Sequence, residues 1–381
     1  MFKQLSSGGY PSMFEGVRTL STDKRWLWLG SWSSVLAFAL LLVLFVSQAE
    51  AFEAPLETPA QKSDSAINGP FLDVVAFENH LVAVGLYGRI VVSGNSGESW
   101  SQAQVPVSTD LVAASFVDRK KGWVVGHGGV VLHTKDGGKN WELQLDGLEA
   151  QQLAIDYYTE NDDGLEKDVA DEMLALERSF VFENETQPFM DVLFVNEQRG
   201  YVVGTFNRIF ATEDGGETWK PLMHRTDNPT ERHFYAVAGN GEAIYLAGEA
   251  GKVWRLNPQS GRFESADTPY TGTLFGLLAF GQNQLLAYGM RGTVYLSRDE
   301  GSSWTNLDVP FTGGVTDADL SPEGQIFIVD QGGGLYQSQD GGADFTKVKV
   351  SRPMSYFGVA WMAPGLVTLV GESGVRVESI F

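Results

Sequence analysis

The chain has 381 residues, 48 acidic against 27 Lys and Arg for a net charge of −21, and no cysteine. That balance argues against nucleic-acid binding, which needs a basic footprint to neutralise phosphates, and against a membrane-surface role through bulk charge. The missing thiols remove disulfides, thiolate nucleophiles and cysteine-ligated metals, and leave the compartment undecided.

Residues 1–25 are polar and carry Lys3, Arg18, Lys24 and Arg25; an apolar run from Trp26 to Val46 follows and ends in Ser47, Gln48, Ala49, Glu50 and Ala51. A positive flank, a hydrophobic core and an Ala-x-Ala site before Phe52 are the three parts of a secretory signal. The run is also long enough to act as an uncleaved anchor. Under either reading the basic flank stays in the cytoplasm and the rest is exported. The expected location is therefore periplasmic, soluble after cleavage of residues 1–51 or tethered to the inner membrane by residues 26–46.

Phe52 to Ile67 form a lead without periodicity, and Leu72 opens a repeat. Its marker is a glycine-rich turn closed by an aromatic residue: Ser93 to Trp100 (SGNSGESW), Thr134 to Trp141 (TKDGGKNW), Thr212 to Trp219 (TEDGGETW), Ser297 to Trp304 (SRDEGSSW) and Ser338 to Phe345 (SQDGGADF), with a worn copy ending at Phe263. In this turn Asp136, Asp214, Asp299 and Asp340 are placed to accept backbone N–H groups, and Trp141, Trp219, Trp304 and Phe345 need a core to enter. One carboxylate per turn falls short of the six to eight oxygens calcium requires. The closing aromatics recur at a period near 41, and three short β-branched runs precede each turn while a fourth follows it. Four strands per repeat predict an all-β, seven-bladed β-propeller over 72–381. The last repeat, Tyr356 to Phe381, lacks its fourth strand, and the lead at 52–71 is the expected donor, because an open blade leaves an unpaired edge.

One gap between turns holds foreign sequence, 148–188, with twelve acids against Lys167 and Arg178, a net of −10. Leu165, Val169, Met173, Leu176 and Phe180 lie on one helical face, Asp162 and Asp163 precede it as caps, and Glu149 to Tyr158 is a shorter helical stretch. A helical hairpin is expected, either a solvated decoration or a docking element.

The repeated x-G-x-x-G-x-[IV] followed by S/T-x-D-G-G-x-x-W, as at Gly126 to Trp141, resembles the BNR or Asp-box repeat family. Within it the chain is similar to photosystem II assembly and stability factor-like proteins. That resemblance implies a seven-bladed propeller that binds a newly made membrane subunit, and in non-photosynthetic bacteria an export-linked role beside RND-type transporters. The acidic insertion departs from the photosynthetic pattern.

Sialidases share these turns, so glycoside hydrolysis or carbohydrate binding is the alternative, with Arg89, Arg208 and Arg291 as a carboxylate clamp; Arg89-Ile90-Val91 lacks the proline of the sialidase signature. The three arginines read as occupying one repeat position, as a surface feature would. His80, His127, His133, His224 and His233 show no ligand spacing. No catalytic residue, metal, cofactor or small-molecule substrate is assigned. Arg89, His127, Arg208, Lys252 and Arg291 fall in the turns between second and third strands, with Tyr87 and Phe206 beside them, on the face opposite the Asp-box turns. They are expected to form a positive patch that docks acidic groups of an integral membrane protein or its exported loop, with the insertion as a second contact.

Overall fold

The computed structural model describes residues 54–161, 163–183, 185–241, 243–311 and 313–380. Expectations for residues 1–51 lie outside them. Among the described residues no helix is long and apolar enough to cross a membrane.

Seven antiparallel sheets follow one another along the chain, six of four strands and a seventh of three. Blade 1 shows the plan: β1 (Phe71–Phe77), β2 (His80–Gly85), β3 (Ile90–Ser93) and the two-residue β4 (Ser101–Gln102), paired in that order. The innermost strands of blades 2 to 7 are Leu111–Phe116, Phe189–Phe194, Phe234–Asn240, Leu274–Phe280, Val315–Leu320 and Tyr356–Ala363. The second strand of each blade is buried on both faces because a neighbouring blade covers each side, so these strands read as continuous apolar runs. Val82 and Val92 of blade 1, for example, pack with Val124, Leu132 and Trp141 of blade 2.

The Asp-box turns lie between third and fourth strands. Asp136 accepts from the backbone N–H groups of Lys139 and Asn140 at 3.1 and 3.0 Å and from the Thr134 hydroxyl at 3.0 Å. Gly138 N–H donates to that hydroxyl at 3.0 Å, and Trp141 returns its indole N–H to the Gly138 carbonyl at 2.9 Å. Asp214, Asp299 and Asp340 repeat the arrangement. Trp219 is buried, while Trp304 and Phe345 are half-buried, with the Trp304 indole donating to Ala266 O.

The lead does not complete blade 7 as expected. Residues 54–70 form no strand. They run instead from the segment after blade 1, with Ala60 N–H donating to Val105 O and Ser108 N–H to Pro55 O, to the outer strand of blade 7, where Ile67 O accepts a single bond from Val375 N–H. Blade 7 closes on blade 1 face to face, with Phe71, Val74 and Val91 meeting Ala360, Val370 and Val375.

The insertion is a helical hairpin, α1 (Gly147–Glu160) and α2 (Lys167–Glu183). A capping box between Asp146 and Glu149 starts α1. Asp163 is not a cap. Its carboxylate accepts from Lys220 Nζ at 2.6 Å and Tyr157 Oη at 2.7 Å, fastening the hairpin turn to blade 3, and these donors hold it at about 2. Asp162 lies outside the described residues. The buried stripe of α2 is Ala170, Met173, Leu174, Glu177 and Phe180, so Val169 is left exposed and a carboxylate sits in the apolar face.

Candidate docking face

The turns between second and third strands share one conformation, with a residue at positive φ at the tip: Tyr87 (61°), Gly128 (73°), Phe206 (52°), Ala250 (55°) and Arg291 (62°). This register corrects the equivalence expected for the three arginines. Arg291 is a tip residue, equivalent to Tyr87 and Phe206, whereas Arg89 and Arg208 stand two residues later with Lys252, where the chain enters the third strand.

The two positions have different fates. At the later one every cation is used internally: Arg89 donates to Asn68 O of the lead at 2.8 Å, Lys252 bridges Asp267, and Arg208 donates to Glu177 of α2 at 2.7 Å. Arg208 is only 1% exposed. The expected partner contact at Arg208 is therefore overturned, because the hairpin lies over that turn and supplies its counter-ion. The same burial removes the three-arginine clamp. Burial lifts the Glu177 carboxyl above its usual range, although the Arg208 guanidinium opposes this.

At the tips the side chains point out. Tyr87 is 67% exposed, Phe206 36%, and Met290 and Arg291 are exposed in blade 5. Among the described residues the Arg291 side chain has no ion-pair partner. His127 is exposed, with a nitrogen 3.8 Å from the Asp110 carboxylate. His133 stacks on Trp123 with ring centroids 4.7 Å apart, and His224 bonds the Tyr158 hydroxyl at 3.1 Å, both as parts of the core. The face is thus a set of aromatic and apolar tips with one outward arginine, and the positive patch drawn from composition dissolves into intramolecular pairs.

A second feature of this face is absent from the sequence reading. Every innermost strand carries a β-bulge near its start. In blade 1 Phe71 pairs with Gly85 and Asp73 with Val84, so Leu72 is the extra residue. The equivalents are Val112, Met190, Tyr235, Phe275, Thr316 and Phe357. A bulge re-aims a side chain, and here all seven line one central cavity of about 210 Å³. They form a collar, apolar except for Thr316.

The next residue in each strand is Asp73, Ala113, Asp191, Ala236, Gly276, Asp317 or Gly358. Each aspartate takes its own strand's N–H on one oxygen and the adjacent blade's on the other: Asp73 from Val74 and Ala114, Asp191 from Val192 and Val237, Asp317 from Ala318 and Val359, all at 2.7–2.8 Å. The adjacent blade always presents Ala or Gly at the matching place. Blade 5 has no aspartate partner. There Gly276 leaves room for the Tyr288 ring, whose hydroxyl lies 3.4 Å from Asp317. Burial pushes Asp73 up to about 6 and Asp191 to about 7, and raises Asp317 well above the carboxylate range, with Asp73 adding repulsion. The legible signal was there: an apolar residue, or Thr316 in the sixth repeat, followed by Asp, Ala or Gly at the start of every repeat.

Fold and face together define a seven-bladed Asp-box propeller with a ring of turns around a collared channel. The family model described as photosynthesis system II assembly factor YCF48 matches residues 71–161 and 177–352, and the chain belongs to that family. A photosystem II assembly lipoprotein Ycf48 of Synechococcus sp. (strain CC9902) is 24% identical over 217 residues, 56% of this chain and 55% of its own. A photosystem II assembly protein Ycf48 of Thermosynechococcus vestitus is 40% identical over 43 residues, 11% of this chain and 12% of its own. The chain thus spans about half or less of the length of these curated relatives. They are named as assembly factors, not enzymes. Among solved structures, a YCF48 bound to D1 peptide superposes with a TM-score of 0.59 at 16% identity, covering 85% of this chain and 99% of that one. YCF48 from Cyanidioschyzon merolae gives 0.57 at 17%, covering 84% and 98%. The WD40 propeller of Doa1 also reaches 0.59, so this likeness speaks for the fold alone.

Proposed function

We propose that the chain is an exported, non-catalytic propeller that docks on an exported loop of an integral membrane protein complex and supports its assembly or stability. The observation that carries this reading is the tip face: Tyr87, Phe206, Met290 and Arg291 turned outward around a seven-bulge collar. Exposed aromatic, Met and Arg side chains are the residue types enriched at protein interfaces. Membership in a family named for an assembly factor supports the same reading. A periplasmic location, free or anchored, and a complex of the RND transporter type fit the basic flank and apolar run at the N-terminus. Arg291 and the aromatic tips take over the contact role first expected of Arg208.

The test is cross-linking in intact cells, detergent solubilisation, and mass spectrometry of what co-purifies with the tagged full chain. One integral membrane complex is expected from the wild type, with at least tenfold lower recovery from Tyr87→Asp, Phe206→Asp, Arg291→Glu combined. Tyr87 and Arg291 are exposed, whereas Phe206 also packs on Phe180 and His233, so Tyr87→Asp with Arg291→Glu should melt within a few degrees of wild type and carries the test where the triple variant does not fold. Undiminished recovery in a folded triple variant overturns the docking face.

A further inference from the structure

We infer that the central cavity on the tip face is a socket for one lysine or arginine side chain of the docking segment. This rests on the reading that a polypeptide docks there. The collar supplies the first half of the fit. Leu72, Val112, Met190, Tyr235, Phe275 and Phe357 present apolar surface to whatever enters, and long cationic side chains lie well along such surface with their heads reaching a polar site beyond.

The second half is charge complementarity. Asp73, Asp191 and Asp317 follow the bulged residues directly and line the same cavity, while among the described residues no Lys, Arg or His does so. Each carboxylate oxygen takes one backbone N–H, with the Tyr288 hydroxyl also on Asp317 Oδ1 at 3.4 Å, and an oxygen has more than one lone pair. An incoming ammonium or guanidinium can therefore be accepted without breaking a blade junction. The cavity, about 210 Å³, has room for a long side chain. An aromatic row leads to the collar from the hairpin side, from Phe206 to His233 at 4.6 Å, to Tyr235 at 6.3 Å and to Phe275 at 6.5 Å, and gives the flanking chain a surface to lie on.

The test titrates the purified full chain in detergent with labelled pentapeptides carrying a neutral dye, Gly-Phe-Lys-Phe-Gly and its arginine and norleucine counterparts, followed by fluorescence anisotropy. The lysine and arginine peptides should bind at least tenfold tighter than norleucine. Their affinity should rise from pH 5.5 to 8 as Asp73 and Asp191 ionise, the other titratable groups being Asp317, the Tyr235 and Tyr288 hydroxyls lining the cavity, and Asp319, whose charge acts on Asp317. Asp191→Asn with Asp317→Asn should abolish the preference. Met190→Trp, which plugs the collar without touching a carboxylate, should abolish binding of all three peptides and tests the socket even where the double variant does not fold. Equal binding of norleucine, no binding of any peptide, or unchanged binding in the folded Met190→Trp protein overturns the socket. A cationic preference without recovery of a membrane complex from cells sinks the assembly reading alone; recovery without the preference sinks the socket alone.

Discussion

Glu177 accepts a hydrogen bond from Arg208 at 2.7 Å with both side chains about 2% exposed, which ties an inserted helix to a turn of blade 3 through an ion pair taken out of water. Removing one member leaves the other charge buried and unpaired. Glu177→Ala should destabilise the chain by about 3–5 kcal/mol, whereas Glu177→Leu with Arg208→Met should fall close to wild type, since apolar replacement of a buried pair is often neutral. Urea unfolding of the three proteins checks this. A double variant as unstable as the single would show that hairpin packing, not charge pairing, sets the cost.

The channel carboxylates give stability a pH dependence of definite sign. Asp73 at about 6 and Asp191 at about 7 lie above their unfolded value of 3.8, so the folded state holds protons that the unfolded chain has released. Their contribution is fully present below about pH 4 and is lost as pH rises through 6 to 7, on the order of a few kcal/mol in total. The Asp-box residues run the other way. Donors hold Asp299 and Asp340 below 3.8, and their contribution is lost as pH falls through that range. Melting temperature should therefore peak in mild acid and fall from pH 5 to 8. Asp191→Asn should flatten that fall while lowering the peak, because the amide NH2 that replaces one oxygen would face the N–H donor of Val192 or Val237.

Gly276 is fixed by its neighbour. A Cβ there would come within 2.3 Å of the buried Tyr288 ring. Gly276→Ala should cost about 1–3 kcal/mol, and adding Tyr288→Ala should recover part of that loss by opening the space. Thermal melts that place Gly276→Ala level with wild type would mean the ring shifts freely.

Asp136 gathers two backbone amides, the Thr134 hydroxyl and the Asn140 side chain. Asp136→Ala strips those donors of their acceptor and should cost about 1–3 kcal/mol, without any change on addition or removal of calcium, since the carboxylate is spent on N–H and O–H groups. Denaturant midpoints with calcium and with chelator decide both halves.

The blades were legible because each repeat is a local unit: β-branched runs, a glycine turn and an aromatic plug recur at near-fixed spacing and need no distant partner to be recognised. The docking face was legible only as a set of turns. Arg89 and Arg291 look alike in composition, yet a two-residue offset within the turn sends one back to Asn68 and the other into solvent. Glu177 was one of twelve acids in the insertion, and nothing in the surrounding sequence marks it as the one that turns inward onto a turn 31 residues away. The same gap explains the lead. An unpaired edge suggested a missing strand, whereas the lead meets the outer strand of blade 7 through one backbone bond, Val375 N–H to Ile67 O, and forms no strand of its own.

The pairing of each channel aspartate with a small residue on the next blade has a consequence that is arithmetical. Pairs tile an even ring without remainder, but seven leaves one blade over, and that remainder is blade 5 with Gly276 and Tyr288. The odd blade gives an otherwise repetitive ring a single index mark, like the notch on a dial. A ligand seated on the axis would meet seven different rotational settings, and only one of them sets the tyrosine in its proper place.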